Sequence, residues 1–338
     1  MGEHILVLDA GTTSTRAILF AADGTLVRTA QRELTQHYPR PGWVEHDAGE
    51  IWDKTLACAR EAIGDDGACV AAIGITNQRE TVVAWDRTSG EPLARAIVWQ
   101  DRRTADFCAT LKESGQEAEV QARTGLLLDP YFSATKMRWM LDNDEAVRGA
   151  NERSDLAFGT VESWLVFKLA QGAHVSDASN ASRTLLLPLD EGQFDAGLCD
   201  LFGVPHSSLP RVVDTHGALA ECSSEWFGRT IPICGLVGDQ QSATIGQACL
   251  APGETKATYG TGAFVLTNNG AAIPRSTHRL LGTVLCQTNG QRVYAIEGAA
   301  FVAGSLIQWL RDGLGLIASA AETEELARSI PDSGEVVI

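Results

Sequence analysis

An α/β fold, with strands alternating with helices, is what this sequence predicts, and three observations predict it. Strand-forming residues at 5–8 break into a tight polar turn and resume as strand at 17–20. Continuous apolar runs of buried-strand length recur at 70–75 and 231–237. Between and after them lie stretches whose apolar residues follow helical spacing.

The elements follow in order. Residues 5–8, 17–20 and 25–29 read as a meander, with Ala22-Asp23-Gly24 as its second turn. A polar segment, 36–42, carries two prolines and leads into Trp43-Val44-Glu45-His46-Asp47. A helix is expected over 47–63: Asp47 can cap it, Glu50 stands three residues on, and Ile51, Leu56, Ala59 and Ile63 approximate one face. The strand at 70–75 ends at Thr76-Asn77-Gln78-Arg79-Glu80-Thr81, and strands follow at 82–85 and 96–99. Helices are expected at 101–114, 133–148 and 160–169, and a polar loop at 178–183. The strand at 231–237 runs into Gly238-Asp239-Gln240-Gln241, followed by a helix at 242–249. Residues 254–266 repeat the opening pattern of strand, Gly-Thr turn and strand, just after a candidate domain boundary at Pro252-Gly253.

Length and composition narrow the class. A chain of 338 residues, 44% hydrophobic and 21% charged, has room for about two globular domains. Its net charge of −16 would repel nucleic acid and anionic membranes, so neither is expected as a partner. The eight cysteines show no CxxC spacing, which argues for reduced thiols rather than a disulfide scaffold or zinc site. With no signal-like start and no apolar run of membrane length, a cytoplasmic protein is expected.

Several short stretches could carry chemistry. Asp9-Ala10-Gly11-Thr12-Thr13-Ser14-Thr15-Arg16 sets a carboxylate, a glycine and four hydroxyls at the first turn. Backbone N–H groups and hydroxyls there could grip phosphate, and the carboxylate suits magnesium; an ordinary Thr-rich hairpin is the alternative. Gly238-Asp239 puts a carboxylate at a strand end, where it could take a proton or simply cap a helix. Arg79-Glu80 offers a donor fork beside an acceptor, fit for neighbouring hydroxyls of a polyol, or else a surface ion pair. Tyr131 could add a phenol donor at a helix entry, and Trp99 could be a platform for carbon atoms or plain core. Gly304 and Gln308 lie in a small-residue run that permits close backbone approach or helix packing. The two Gly-Thr turns could face each other across a cleft and hold one polyphosphate.

Taken together, the turn at 9–16, Pro41-Gly42-Trp43-Val44-Glu45-His46-Asp47, Ile75-Thr76-Asn77-Gln78-Arg79-Glu80-Thr81, Ile97-Val98-Trp99-Gln100, Asp129-Pro130-Tyr131-Phe132-Ser133, Gly238-Asp239-Gln240-Gln241 and Tyr259-Gly260-Thr261-Gly262 resemble the FGGY carbohydrate kinase family. The resemblance runs from the first strand to about Leu314 and is strongest to members that phosphorylate glycerol. It implies two domains with actin-like, ribonuclease-H-like cores around a cleft, divided as 1–249 and 250–338. It implies that Arg79, Glu80, Tyr131, Asp239 and Gln240 bind glycerol hydroxyls while Trp99 and Phe264 border its carbons. It further implies ATP held by Thr12, Thr13, Ser14 and Arg16, with Thr261, Gly304 and Gln308 as contacts from the second domain. Mg2+ would lie near Asp9 and Asp239, and Asp239 would be the general base. A homo-oligomer, dimer or tetramer, is expected for the full-length form.

Two departures from the family pattern shape the expectations. The chain stops at Ile338 whereas family members run about half as long again. The second domain is therefore expected to be incomplete, with apolar faces partly uncovered. At 226–231 the regulated members' longer glycine-rich loop is reduced to Gly228, Arg229 and Thr230, so control by fructose 1,6-bisphosphate is not expected. The competing expectations are a kinase for another polyol or sugar, and a non-catalytic binder of polyol or nucleotide.

Overall fold

Alternation sets the opening strands of this computed structural model, which describes residues 4–64, 70–260 and 262–334. In β1 (His4–Ala10), Leu6, Leu8 and Ala10 are buried between more exposed neighbours; Thr15, Ala17 and Leu19 of β2 (Ser14–Ala21) do the same. With β3 (Leu26–Glu33) they complete the expected meander. A two-residue strand, β4 (Glu45–His46), precedes α1 (Ala48–Ile63). Asp47 caps that helix, accepting from the Gly49 and Glu50 amides, and Ile51, Leu56, Ala59 and Ile63 all lie on its buried face.

The chain then enters the sheet centre as β5 (Val70–Asn77), followed by β6 (Val83–Asp86) and β7 (Ala96–Ile97). Four helices follow: α2 (Ala105–Glu113), α3 (Glu117–Thr124), α4 (Ser133–Asn143) and α5 (Glu145–Glu152). The single helix expected over 133–148 is thus two, because extended Asp144 breaks it and caps α5 through the Ala146 and Val147 amides. Next come β8 (Leu156–Gly159), α6 (Val161–Leu169), β9 (Val175–Asp177) and α7 (Ala178–Ala181). Of the loop expected at 178–183, residues 178–181 are instead this buried turn of helix, and 182–183 are a turn. Asp177 caps it, and its polar side chains bond inward rather than to solvent. After α8 (Ala196–Phe202), β10 (Arg211–Val213), β11 (His216–Cys222) and α9 (Ser224–Phe227), the strand β12 (Ile231–Gly238) passes directly into α10 (Asp239–Gly246). That helix starts three residues before the expected one, at Asp239 itself.

One sheet has the order β11-β12-β5-β1-β2-β3, with β1, β5 and β12 parallel and the rest antiparallel. In register, Ala10 and Gly238 both flank Asn77, so three strand ends converge at one edge. Ligands collect at such carboxyl ends. A second sheet is antiparallel throughout: β13 (Thr255–Tyr259), β14 (Ala263–Gly270), β15 (Leu281–Thr288) and β16 (Gln291–Ala300), ordered β13-β14-β16-β15. Its inner residues, among them Leu266, Val284 and Ala295, share a core with the helical layer around Met137, Leu186 and Phe202. The final described elements include α11 (Gly304–Gln308) and α12 (Glu322–Arg328). Here Phe301, Val302, Trp309, Leu316 and Ile330 are exposed, matching the expectation of uncovered apolar surface.

Candidate functional site

A cavity of about 340 Å³ opens where the three strand ends meet the edge of the second sheet. It is lined by Gly11, Thr12, Thr13, Ser14 and Arg16 from the first turn, and by Thr258, Gly260, Gly262 and Phe264 from the second. Between these lie Arg79, Glu80, Trp99, Tyr131, Asp239 and Gln240. The two Gly-Thr turns therefore border one cleft. Asp9 stands beside its mouth, where Arg16 reaches it at 2.7 Å across the hairpin. Burial nonetheless holds the Asp9 carboxyl above its usual range.

Arg79 and Glu80 are not the surface ion pair that neighbouring charges usually form; both are buried. In extended chain, adjacent side chains point to opposite sides. Glu80 breaks that alternation with a left-handed backbone, φ +61°, so both residues face the cavity. A non-glycine residue is strained there, by about 1 kcal/mol. Two contacts hold it: Ser133 Oγ donates to its carbonyl at 3.1 Å, and Arg183 Nε to its carboxylate at 2.6 Å. Arg79 is fixed as firmly. It makes a two-pronged contact with Glu297, at 2.6 and 3.1 Å, and donates to Tyr131 Oη at 3.2 Å and Gln241 at 3.2 Å. Its Nε lies 3.5 Å from Asp239 and 3.8 Å from Glu80. Gly238 is required beside it, because a Cβ at that position would stand 2.8 Å from Arg79 Cδ.

Glu297 also accepts from Arg183 at 3.0 Å, closing a buried set of two cations and two anions. Such groups are tolerated inside a protein only when paired. Neither Arg183 nor Glu297 stood out in the sequence reading. Their signals were there: a lone carboxylate within the apolar run at 293–301, and an arginine before Leu185-Leu186-Leu187. Lys256 is a third such residue, holding Gln240 through a 2.7 Å hydrogen bond to its side-chain oxygen.

Asp239 is the first residue of α10, and Gly238, not Asp239, occupies the capping position. Its carboxylate accepts from the Gln240 amide at 2.7 Å and keeps 35% of its side-chain surface open to the cleft. Burial raises its pKa to about 6, against the lowering influence of Arg79, while Glu80 and Asp9 add to the rise. A carboxylate so tuned can accept a proton near neutral pH. The aromatic wall is equally specific: Trp99 meets Tyr131 and Phe264 edge-on, with centroids 5.8 and 6.0 Å apart. Trp99 also donates from its indole nitrogen to Thr12 Oγ1 at 2.8 Å, so the aromatic platform and the first turn are joined.

The remaining predicted residues are less gathered. Gly304 donates its amide to Gly260 at 2.8 Å, but with Gln308 it lines a separate hollow of about 350 Å³ together with Ile307, Arg311, Ala320 and Thr323. Thr261 lies outside the described residues. Among the described residues no group of three or more metal-ligating side chains converges, and no helix is long and apolar enough to cross a membrane.

Comparison with known proteins places this geometry. The chain is 54% identical to a glycerol kinase from Dechloromonas aromatica and 53% identical to one from Rhodospirillum rubrum. It is matched over 99% and 98% of its length, covering 68% of each relative. Among solved structures it superposes on Plasmodium falciparum glycerol kinase with ADP at a TM-score of 0.90 and 34% identity, spanning 98% of this chain and 67% of that one. Xylulose kinase from Rhodospirillum rubrum follows at a TM-score of 0.84 and 27% identity, over 97% and 67% of the two chains. Residues 4–246 match the N-terminal domain of the FGGY family of carbohydrate kinases, and with relatives this similar the chain belongs to that family.

Proposed function

We propose that this chain is the glycerol-binding and phosphate-gripping part of an ATP-dependent glycerol kinase that yields sn-glycerol 3-phosphate and ADP. One observation carries the reading. Asp239 lines a single cavity together with the Arg79–Glu80 pair and residues of both Gly-Thr turns. Arg79, Glu80, Tyr131 and Gln240 present donors and acceptors for adjacent hydroxyls, and Trp99 and Phe264 flank the carbons. Asp239 takes the proton from the attacking terminal hydroxyl as its oxygen bonds to the γ-phosphorus. The bond from that phosphorus to the β–γ bridging oxygen breaks, leaving ADP. Thr12, Thr13, Ser14 and Arg16 receive the phosphates, and Gly304, Gln308 and Thr261 contribute from the second body. We read the two bodies as 1–249 and 250–338, closing over the substrates to exclude water.

The donor set fits Mg2+, since two carboxylates made uneasy by burial, Asp9 and Asp239, flank the phosphate turn. Bound with the nucleotide, the ion supplies charge neutralisation for the transferred group. The free cysteines among the described residues support a reducing, cytoplasmic setting.

The test is an ADP-release assay on this chain across glycerol, erythritol and xylulose, alongside direct glycerol binding. Turnover with glycerol preferred is expected. Preference for the ketopentose would move the assignment to another sugar. Glycerol binding with no ADP release would favour the non-catalytic binder.

A further inference from the structure

The segment Trp43-Val44-Glu45-His46-Asp47 has no part in the proposed reaction, yet its histidine is joined to the phosphate turn through two glutamines. The β4–β7 ribbon pairs His46 with Ala96 and so brings it to the strand that leads into Trp99. His46 is buried, and both ring nitrogens are engaged: Nε2 with Gln36 Oε1 at 2.9 Å and Nδ1 with Gln78 Nε2 at 3.3 Å.

The two glutamines hold the turn by its backbone. Gln36 Nε2 donates to the Thr12 carbonyl at 2.8 Å and to the Leu34 carbonyl at 3.2 Å. Gln78 Nε2 donates to the Gly11 carbonyl at 3.0 Å. Carbonyls only accept, so both amide orientations are forced. Gln78 must then donate its second hydrogen to His46 Nδ1, and Gln36 must accept from His46 Nε2–H. Thr81 completes the ring: its hydroxyl donates to Gln78 Oε1 at 2.9 Å and accepts from the Trp99 amide at 3.2 Å. Trp99 returns to the turn through Thr12 Oγ1 at 2.8 Å. Every amide hydrogen of Gln36 and Gln78 is used, and only the Nε2–H tautomer of His46 satisfies the ring. Burial, which pushes the imidazole down to about 4, keeps it neutral at ordinary pH.

We infer that His46 is a positioning residue: with Gln36 and Gln78 it fixes the Gly11–Thr12 carbonyls, aiming the turn's N–H groups and hydroxyls at phosphate, and it ties that turn to the Trp99 platform. The inference rests on reading the turn as the phosphate grip. His46 itself touches neither substrate.

The full chain tests it. His46→Leu removes both ring nitrogens, and His46→Gln restores one donor and one acceptor. The Gly11 amide, which donates to Ser14 O at 3.0 Å, reports the turn without any substrate. Its hydrogen exchange should quicken about tenfold in His46→Leu, with β12 amides unchanged, and recover in His46→Gln. In turnover, His46→Leu should lower kcat/KM for ATP about tenfold, while directly measured glycerol affinity stays within about twofold. Gln36→Met, at a half-buried position, gives a milder form of the same pattern and serves if His46→Leu does not fold. Unchanged exchange in the turn, loosening spread evenly through the sheet, or equal losses for glycerol and ATP would each overturn the positioning role. A wild-type chain that turned over no glycerol would sink the kinase reading, while the exchange result would still decide this one.

Discussion

Under the proposed function, the acceptor end of the cleft and its phosphate end are built from opposite materials. At the acceptor end Arg79, Glu80, Arg183 and Glu297 are each buried to 2% exposure or less and hold one another by charge. At the phosphate end Thr13 and Gly260 are exposed, Arg16 keeps 45% of its side chain in solvent, and the groups on offer are backbone amides and hydroxyls. On that proposal, the difference follows from the ligands. A small neutral polyol has to be told from similar ones by hydroxyl placement, and that needs rigid, dry partners that suffer when left unpaired. A polyphosphate brings its own charge and can be met by an open turn. Asp239 stands at the junction and belongs to both.

That contrast can be broken in four ways, taken in descending order of effect. Asp239→Asn should lower kcat by about 10²–10⁴-fold, the range for losing a general base, with glycerol binding nearly retained. Near-normal turnover in single-turnover assays would remove Asp239 from that role. Glu297→Gln strips the shared anion from Arg79 and Arg183 and should cost about 3–5 kcal/mol of stability by denaturant unfolding. Glycerol affinity should fall more than nucleotide affinity; equal losses would erase the distinction between the two ends. The pH profile comes third. Asp239 is raised to about 6, and only its deprotonated form accepts a proton, so kcat should level off above that pH. Below it, kcat should fall about tenfold per unit. An acid limb centred near 4 would mean that the folded site does not perturb the carboxyl. Thr12→Val, which removes the acceptor of the Trp99 indole, should cost about 1 kcal/mol, or roughly fivefold in kcat/KM, at the exposed end. A loss as large as that of Glu297→Gln would show that the open end depends on side chains after all.

Legibility differed in the same way along the chain. The meander, α1 with its Asp47 cap and the strands at 70–77 and 231–238 were readable because local period and capping chemistry agree with tertiary burial there. The residues at 178–183 were misread because Ser, Asn and Arg favour exposed turns by composition, whereas here their polar atoms are satisfied internally. The split at Asp144 was missed because capping by one aspartate outweighed an otherwise continuous helical pattern. Of the site, the residues within short motifs were found. Arg183, Glu297 and Lys256 were not, since each acts by holding a motif residue more than ten positions away.

The sequence by itself determined which chemistry stands at the strand ends: the two Gly-Thr turns, the Arg79–Glu80 fork and the carboxylate at Asp239. These are local arrangements, and a few adjacent residues suffice to write them. Only the tertiary structure decided that the turns share a cavity, that Arg79 points inward onto Glu297, and that Gln78 and Gln36 hold the Gly11 and Thr12 carbonyls. Those outcomes depend on the parallel register of β1, β5 and β12 and on a second sheet packed against the helical layer. Contacts between residues 24 to 218 positions apart are fixed by shared burial, and no local pattern encodes that.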